Sequence, residues 1–268
     1  MRCPRLWYYS FVLWRQPASG NALLKGSAFH YCAEHYYKDE IDIDGDDMFQ
    51  YLMEKYPECE EFIPEAILMF RNYLQHYVND EYDWYIIDGK PAIELECKIE
   101  LTDSINFFLK FDGIKERAGK LYAWDYKTTS GYLNDYYFNK YELAYQTFAY
   151  SWAARELFND AMAGFVIDAI ASPKSKKTKF ARRFFPFLTM VDEFIDELTR
   201  TAEFIQNHMH DEEYFMHNYT SCAFQFGSKC KFSDVCMAPK ERRHDIIMSN
   251  LFEDAKPIYD FESTKKGE

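Results

Sequence analysis

Apolar and polar residues alternate strictly through Ile93–Leu101, with Ile93, Leu95, Cys97, Ile99 and Leu101 on one face and Glu94, Glu96, Lys98 and Glu100 on the other. That period predicts a half-buried strand, with the glutamates on a solvated face. Thr102 to Asn106 turns the chain into a second strand, which carries Asp112 near its end, just before Gly113. A third strand places Leu121, Ala123, Asp125, Lys127 and Thr129 on one face and Tyr122, Trp124, Tyr126 and Thr128 on the other. The three form a meander, and ordinary antiparallel pairing brings Asp112 within reach of Asp125. GFVIDAIAS and FARRFFPFL read as a further pair of strands.

Helical spacing occupies the rest of the chain. ALLKGSAFHYCAEHYYK reads as a helix on which Gly26, His30 and Glu34 share a face. Pro64 opens a second helix, EAILMFRNYLQHYVND, from its first turn. After Ser130 the chain becomes helical through YYFNKYELAYQTFAYSWAARELF, where Gln146 and Tyr150 lie one turn apart. Val191, Phe194, Ile195, Leu198, Ala202 and Ile205 recur at helical spacing and predict a helix covering one sheet face. The acidic stretch IDIDGDDMFQYLMEKYPECEE lacks the full spacing of a calcium loop and reads as a surface insertion. The fold class expected is mixed α/β.

Composition narrows this picture only slightly. With 268 residues, 48% of them hydrophobic, 24 Phe and 22 Tyr, the chain supports one substantial core and one main domain. No apolar run approaches the roughly 18 residues that a membrane span needs. No secretory signal is apparent in the opening MRCPRLWYYSFVLWR, and a reducing cytoplasm is the expected location. The formal charge of −13 argues against a nucleic-acid partner only while it is read as an average. Much of the acid lies between Lys38 and Glu65 and in the C-terminal tail, whereas Lys174, Lys176, Lys177, Lys179, Arg182 and Arg183 form a basic run. That run either follows a phosphate backbone or is a solvated hairpin loop.

The chemistry-bearing residues cluster on the strands. Two facing carboxylates repel, so Asp112 and Asp125 are stable together mainly around a hard divalent cation such as Mg2+ or Mn2+. Lys127, on the same face as Asp125, is placed to hold or help deprotonate a water and to offset charge on a phosphoryl group. Cys222, Cys230 and Cys236 fall close together in loop-like sequence, which in a reducing compartment points to metal rather than disulfides. Cys3, before a proline, is the available fourth ligand. Four thiolates hold either a [4Fe-4S] cluster or zinc, and the spacing matches no Cys-x2-Cys knuckle. Cys32, Cys59 and Cys97 read as structural.

Taken in order, GSAFH ending at His30, FDG with Asp112, WDYKT with Asp125 and Lys127, and QTFAY with Gln146 and Tyr150 resemble the PD-(D/E)xK nucleases. The bracketing cysteines are similar to those of the RecB-like iron-sulfur exonucleases of phages and CRISPR adaptation modules. The resemblance spans Cys3 to Cys236 and implies a single nuclease domain over residues 1–268, with a restriction-endonuclease-like core sheet flanked by helices. It implies that 1–20 and 215–240 jointly bind a cluster joining the two ends of the chain, that 38–80 is an acidic and helical insertion, and that 241–268 is a tail. It further implies that Asp112, Asp125, the backbone carbonyl of Tyr126 and His30 ligate Mg2+ or Mn2+. Lys127 then orients water, and Gln146 and Tyr150 position the strand or the site. Cys3, Cys222, Cys230 and Cys236 ligate a structural [4Fe-4S] cluster, with Zn2+ as the alternative. The activity implied is hydrolysis of single-stranded DNA from an end, with recombination or adaptation proteins, or a second copy of the chain, as further partners. Members often carry glutamate where this chain has Asp125.

Overall fold

The alternating run becomes strand β1 (Ile93–Thr102), followed by β2 (Ile105–Arg117) and β3 (Lys120–Thr129). A computed structural model describes residues 3–16, 21–43, 47–172, 177–222 and 229–254. β2 runs past Asp112 to Arg117, so Asp112 lies in the interior of the strand and not near its end. The hairpin closes instead at Ala118 and Gly119, both in the left-handed region with φ of 51° and 73°, between the paired Arg117 and Lys120. A two-residue turn of this kind matches the twist of the strands it joins. β3 pairs in parallel with β4 (Met162–Ala171), and β4 pairs antiparallel with β5 (Lys179–Pro186). On the other edge of β2, β1 is followed along the strand by the short segment Asp83–Trp84, which completes a six-stranded sheet.

Inside-outside alternation changes phase in the middle of this sheet. Leu109 and Phe111 face the same core as Ile114 two strands' breadth from the edge, and on β1 Cys97 and Ile99 share that core with Ala92. Both shifts occur at facing positions, Asp112 and Glu94, which lie between the pairs Ile93↔Gly113 and Leu95↔Phe111. Glu94 adopts a φ of 51°, a left-handed conformation that costs a residue with a side chain about 1–3 kcal/mol. At Gly113 a Cβ would come within 2.3 Å of the Trp84 ring, so only glycine lets that indole cross the strand beside Asp112.

Helices cover both faces. α1 (Asn21–Tyr37), α2 (Asp47–Lys55) and α3 (Ile63–His76) pack Phe29, Met48, Leu52, Phe70 and Tyr73 onto Trp124, Tyr126 and Val166. The acidic segment is therefore not only surface: its helix buries Met48 and Leu52, and Cys59 beyond it is buried too. α4 (Tyr145–Phe158) covers the opposite face through Ala149, Tyr150, Trp152 and Ala153. The helix expected directly after Ser130 is broken into Asp135–Asn139 and α4. Asn134 caps the first piece by accepting from the Tyr137 N–H at 3.0 Å, and the Thr147 hydroxyl donates back to the Tyr141 carbonyl, holding the break. α5 (Val191–His208) adds Val191 and Phe194 to the same core.

The chain divides into two compact units, 20–200 and a smaller one in which 1–19 joins 201–268. In the smaller unit Tyr8, Tyr9, Phe215, Phe232, Val235, Ile247 and Phe252 form an apolar core. The buried Arg5 donates to the Phe215 carbonyl at 2.6 Å, and Arg15 donates to the Ile247 carbonyl at 3.0 Å. Arg15–Gln16 also pairs antiparallel with Glu253–Asp254, so residues from both ends of the sequence build this unit. Among the described residues no helix is long and apolar enough to cross a membrane.

Candidate active site

Gly113 pairs with Trp124 across β2 and β3, and the next residues out are Asp112 and Asp125. Asp125 is buried and accepts three donors on Oδ1: Lys127 Nζ at 2.7 Å, Gln146 Nε2 at 2.8 Å and the Tyr150 hydroxyl at 3.1 Å. Gln146 Nε2 also donates to the Tyr150 hydroxyl at 2.9 Å, as one turn of α4 allows. Oδ2 of Asp125 lies 2.6 Å from Lys127 Nζ, yet no hydrogen-bond donor is aligned on it. Asp112 reaches the other way, its Oδ2 accepting from the Tyr126 N–H at 2.7 Å.

α1 supplies the opposite wall. Gly26 brings the helix close to β3, where a Cβ would stand 3.1 Å from Thr128 Oγ1. One turn later, His30 Nε2 lies 3.1 Å from the Tyr126 carbonyl. A carbonyl only accepts, so the proton sits on Nε2 and leaves Nδ1 as the free lone pair. Nδ1 faces Asp112 Oδ2 at 3.5 Å. Glu94 completes the group: one ligand atom each from His30, Glu94 and Asp112 lie within 4.8 Å of one another. These residues, with Lys127, Thr128 and Lys110, line a cavity of about 400 Å³.

The electrostatics are those of a crowded acidic site. Burial and then the Asp125 carboxylate push Asp112 well above the usual carboxylate range. Burial and Asp112 likewise raise Glu94, although Lys110 opposes the shift. His30 is lowered by burial against the pull of Glu94 and Asp125. For Lys127 burial disfavours the ammonium, but Asp125 and Asp112 outweigh it and the pKa rises, so the group stays charged.

These residues fit a hard divalent cation. The donors are carboxylate oxygens and one imidazole, the acids carry charge that their own burial disfavours, and a buried Asp125 oxygen has no aligned donor. His30, Glu94 and Asp112 would hold Mg2+ or Mn2+, and the spare lone pair of the Tyr126 carbonyl is available as well, whereas Asp125, the other expected ligand, stands outside that group of three and is engaged by Lys127, Gln146 and Tyr150. From the sequence, Glu94 or Glu96 is an optional helper of the metal site and a solvated face is the preferred reading; the structure sets Glu94 beside His30 and Asp112. Its signal was there only in part: the register that sets it opposite Asp112 depends on an irregularity between Glu100 and Thr102.

The basic run does not act as a unit. Arg182 is turned inward, donating from Nε to Asp168 at 2.8 Å, from Nη1 and Nη2 to Asp80 at 2.6 and 2.9 Å, and from Nη2 to Tyr73 at 2.9 Å. Its guanidinium carbon also lies 3.5 Å from the Tyr77 ring centroid. It is therefore a half-buried cation committed four times over within the fold. Arg183 is half-buried and pairs with Asp135. Lys177 and Lys179 are exposed, while Lys174 and Lys176 lie outside the described residues.

In the smaller unit the Cys236 thiol is pushed up to about 11, by burial and then by the neighbouring thiols of Cys222, Cys230 and Cys3. The Asn218 N–H donates to Cys3 Sγ at 3.5 Å. Cys32, Cys59 and Cys97 are buried in the larger unit.

Among the solved structures that resemble the chain are two of low identity. One is a candidate exonuclease from Eubacterium rectale, with 13% identity and a TM-score of 0.44, covering 93% of this chain and 81% of that one. The other, the protein SSO0001, has 15% identity and a TM-score of 0.33, covering 71% of this chain and 80% of that one. No curated protein matches the sequence. The sequence profile of the PD-(D/E)XK nuclease superfamily matches residues 1–237, nearly the whole length, and the chain belongs to that superfamily.

Proposed function

We propose that this nuclease is a metal-dependent DNA exonuclease that hydrolyses single-stranded DNA from an end, in phage or CRISPR-type DNA processing, recombination or repair. The observation that carries the metal-dependent chemistry is the convergence of His30, Glu94, Asp112 and Lys127 on one cavity, with the buried Asp125 directly behind Lys127. A bound divalent ion supplies polarisation of the phosphate and activation of water. The chain's residues do the remainder. Asp125 is held by Gln146 and Tyr150, and Lys127, fixed against Asp125, presents its ammonium to an attacking water and to the developing charge on phosphoryl oxygens. The preference for single strands and for ends rests on the resemblance to the iron-sulfur branch.

A [4Fe-4S] cluster on Cys3, Cys222, Cys230 and Cys236 is part of the same reading. Beyond burial, the thiols of Cys3 and Cys230 help to raise both Cys222 and Cys236, which supports a common site.

The decisive experiment incubates end-labelled single- and double-stranded linear DNA and circular single-stranded DNA with Mg2+ or Mn2+. Linear single strands should be shortened from an end, circles should survive, and EDTA should stop the reaction. Cut circles would make the protein an endonuclease, and intact DNA throughout would leave it a binding protein of the same fold.

A further inference from the structure

A second cavity, of about 420 Å³, adjoins the catalytic one. Glu34, Glu94 and Lys110 line both cavities, and of the charged residues Lys38, Lys90 and the exposed Glu96 line only the second. Lys110 is ion-paired with Glu94, the very carboxylate that stands with His30 and Asp112. Lys38 is already held by Glu34 at 2.7 Å. Lys90 is exposed beside the turn at Asp88 and Gly89.

One carboxylate cannot serve an ammonium and a divalent ion equally. Two positive charges on the same glutamate repel, and at close range in a half-buried site that repulsion amounts to kilocalories per mole. The ammonium is the partner that can move, because it sits on a flexible four-carbon stem whose other wall is the second cavity. Resting on the nuclease reading above, we propose that Lys110 is a placeholder cation: it neutralises Glu94 until the metal arrives, then swings into the second cavity. There it joins Lys90 in binding the phosphate next to the scissile one on the polynucleotide strand. Metal loading and strand binding are thereby coupled through one side chain, and the second cavity becomes a phosphate subsite that is cationic only in the metal-loaded protein.

Titration of the full-length protein with Mn2+, without DNA, tests the first half. Lys110→Met should bind Mn2+ on the order of tenfold more tightly, since a competing charge is gone. Lys110→Arg, which keeps the charge, should bind as the parent does and controls for folding. In a Glu94→Gln background the Lys110→Met gain should vanish, because the shared carboxylate is lost. The second half is read in a Lys127→Ala background, which prevents cleavage, from the salt dependence of binding to a fluorescent single-stranded oligonucleotide. With Mn2+, Lys110→Met and Lys90→Ala should each reduce the slope, and together by about 0.7, the one phosphate they share. Without Mn2+, Lys110→Met should leave the slope unchanged. Parental Mn2+ affinity in Lys110→Met, a gain that survives Glu94→Gln, or a slope change independent of Mn2+ would overturn the proposal. The cleavage assay on the parent protein stands apart from these results, so either reading can fail alone.

Discussion

Asp112 Oδ2 accepts the Tyr126 N–H at 2.7 Å, so the carboxylate of one strand grips the backbone of the strand that carries Asp125 and Lys127. This bond separates two roles of Asp112. Asp112→Asn keeps an oxygen for Tyr126 but removes the charge that repels Asp125. Its melting temperature in EDTA should be no lower than the parent's, while cleavage falls by about 10²- to 10³-fold. Asp112→Ala loses the bond as well and should cost about 1 kcal/mol of stability. Lys127→Met should match the loss of cleavage. Near-parental turnover in a folded variant would remove that residue from the chemistry.

Gln146 and Tyr150 touch Asp125 and so act through it. Gln146→Met or Tyr150→Phe leaves Asp125 Oδ1 with two of its three donors. Each should lower Mn2+ affinity and kcat by about 10- to 100-fold, the usual range for groups that orient a ligand. Loss of DNA affinity with unchanged Mn2+ binding would instead make them contacts to the strand.

Arg182 should matter for stability and not for DNA. Arg182→Met strips the buried Asp168 of its ion partner, leaves the half-buried Asp80 with Lys115 alone, and should cost about 3–5 kcal/mol by denaturant unfolding. At a temperature where it remains folded, its salt slope for DNA should equal the parent's, whereas Lys177→Ala with Lys179→Ala should flatten that slope if the loop tracks phosphates. Burial works to raise Asp80, but Arg182 and Lys115 outweigh it and hold its pKa below the ordinary value. That stabilisation is complete above the unfolded pKa of about 3.9 and is lost as pH falls through the lower folded value. Asp80→Asn should therefore lose stability at neutral pH and show a shallower acid limb.

For the cysteines the expected result is a brown protein under anaerobic purification, with iron and sulfide near four each per chain on the order set by a cubane. Cys3→Ser, Cys222→Ser, Cys230→Ser or Cys236→Ser should bleach it and lower its melting temperature, and Cys32→Ser or Cys97→Ser should not bleach it. Colourless protein with one zinc and no sulfide would replace the cluster but keep the ligands.

The sequence by itself determined what local pattern can encode. The period of two in Ile93–Leu101 and Leu121–Thr129 set the strands, and Leu121 and Ala123 indeed share one core while Trp124 and Tyr126 share the other, but the faces of Ile93 and Glu94 follow from the phase change there and not from the period. Helical spacing likewise set Gln146 and Tyr150 on one face of α4. The tertiary structure decided what depends on register and on long-range partners. Glu94 faces Asp112 because an irregularity near Leu101 shifts the pairing and both strands change phase together, and a one-residue shift moves every side chain to the other face. Arg182 lies in a basic run, yet Asp168 on the paired strand and Asp80 and Tyr77 from a distant part of the chain claim it from the inner side. Periodicity cannot report such contacts, because a charge in sequence carries no record of which opposite charge the folded sheet will bring beneath it.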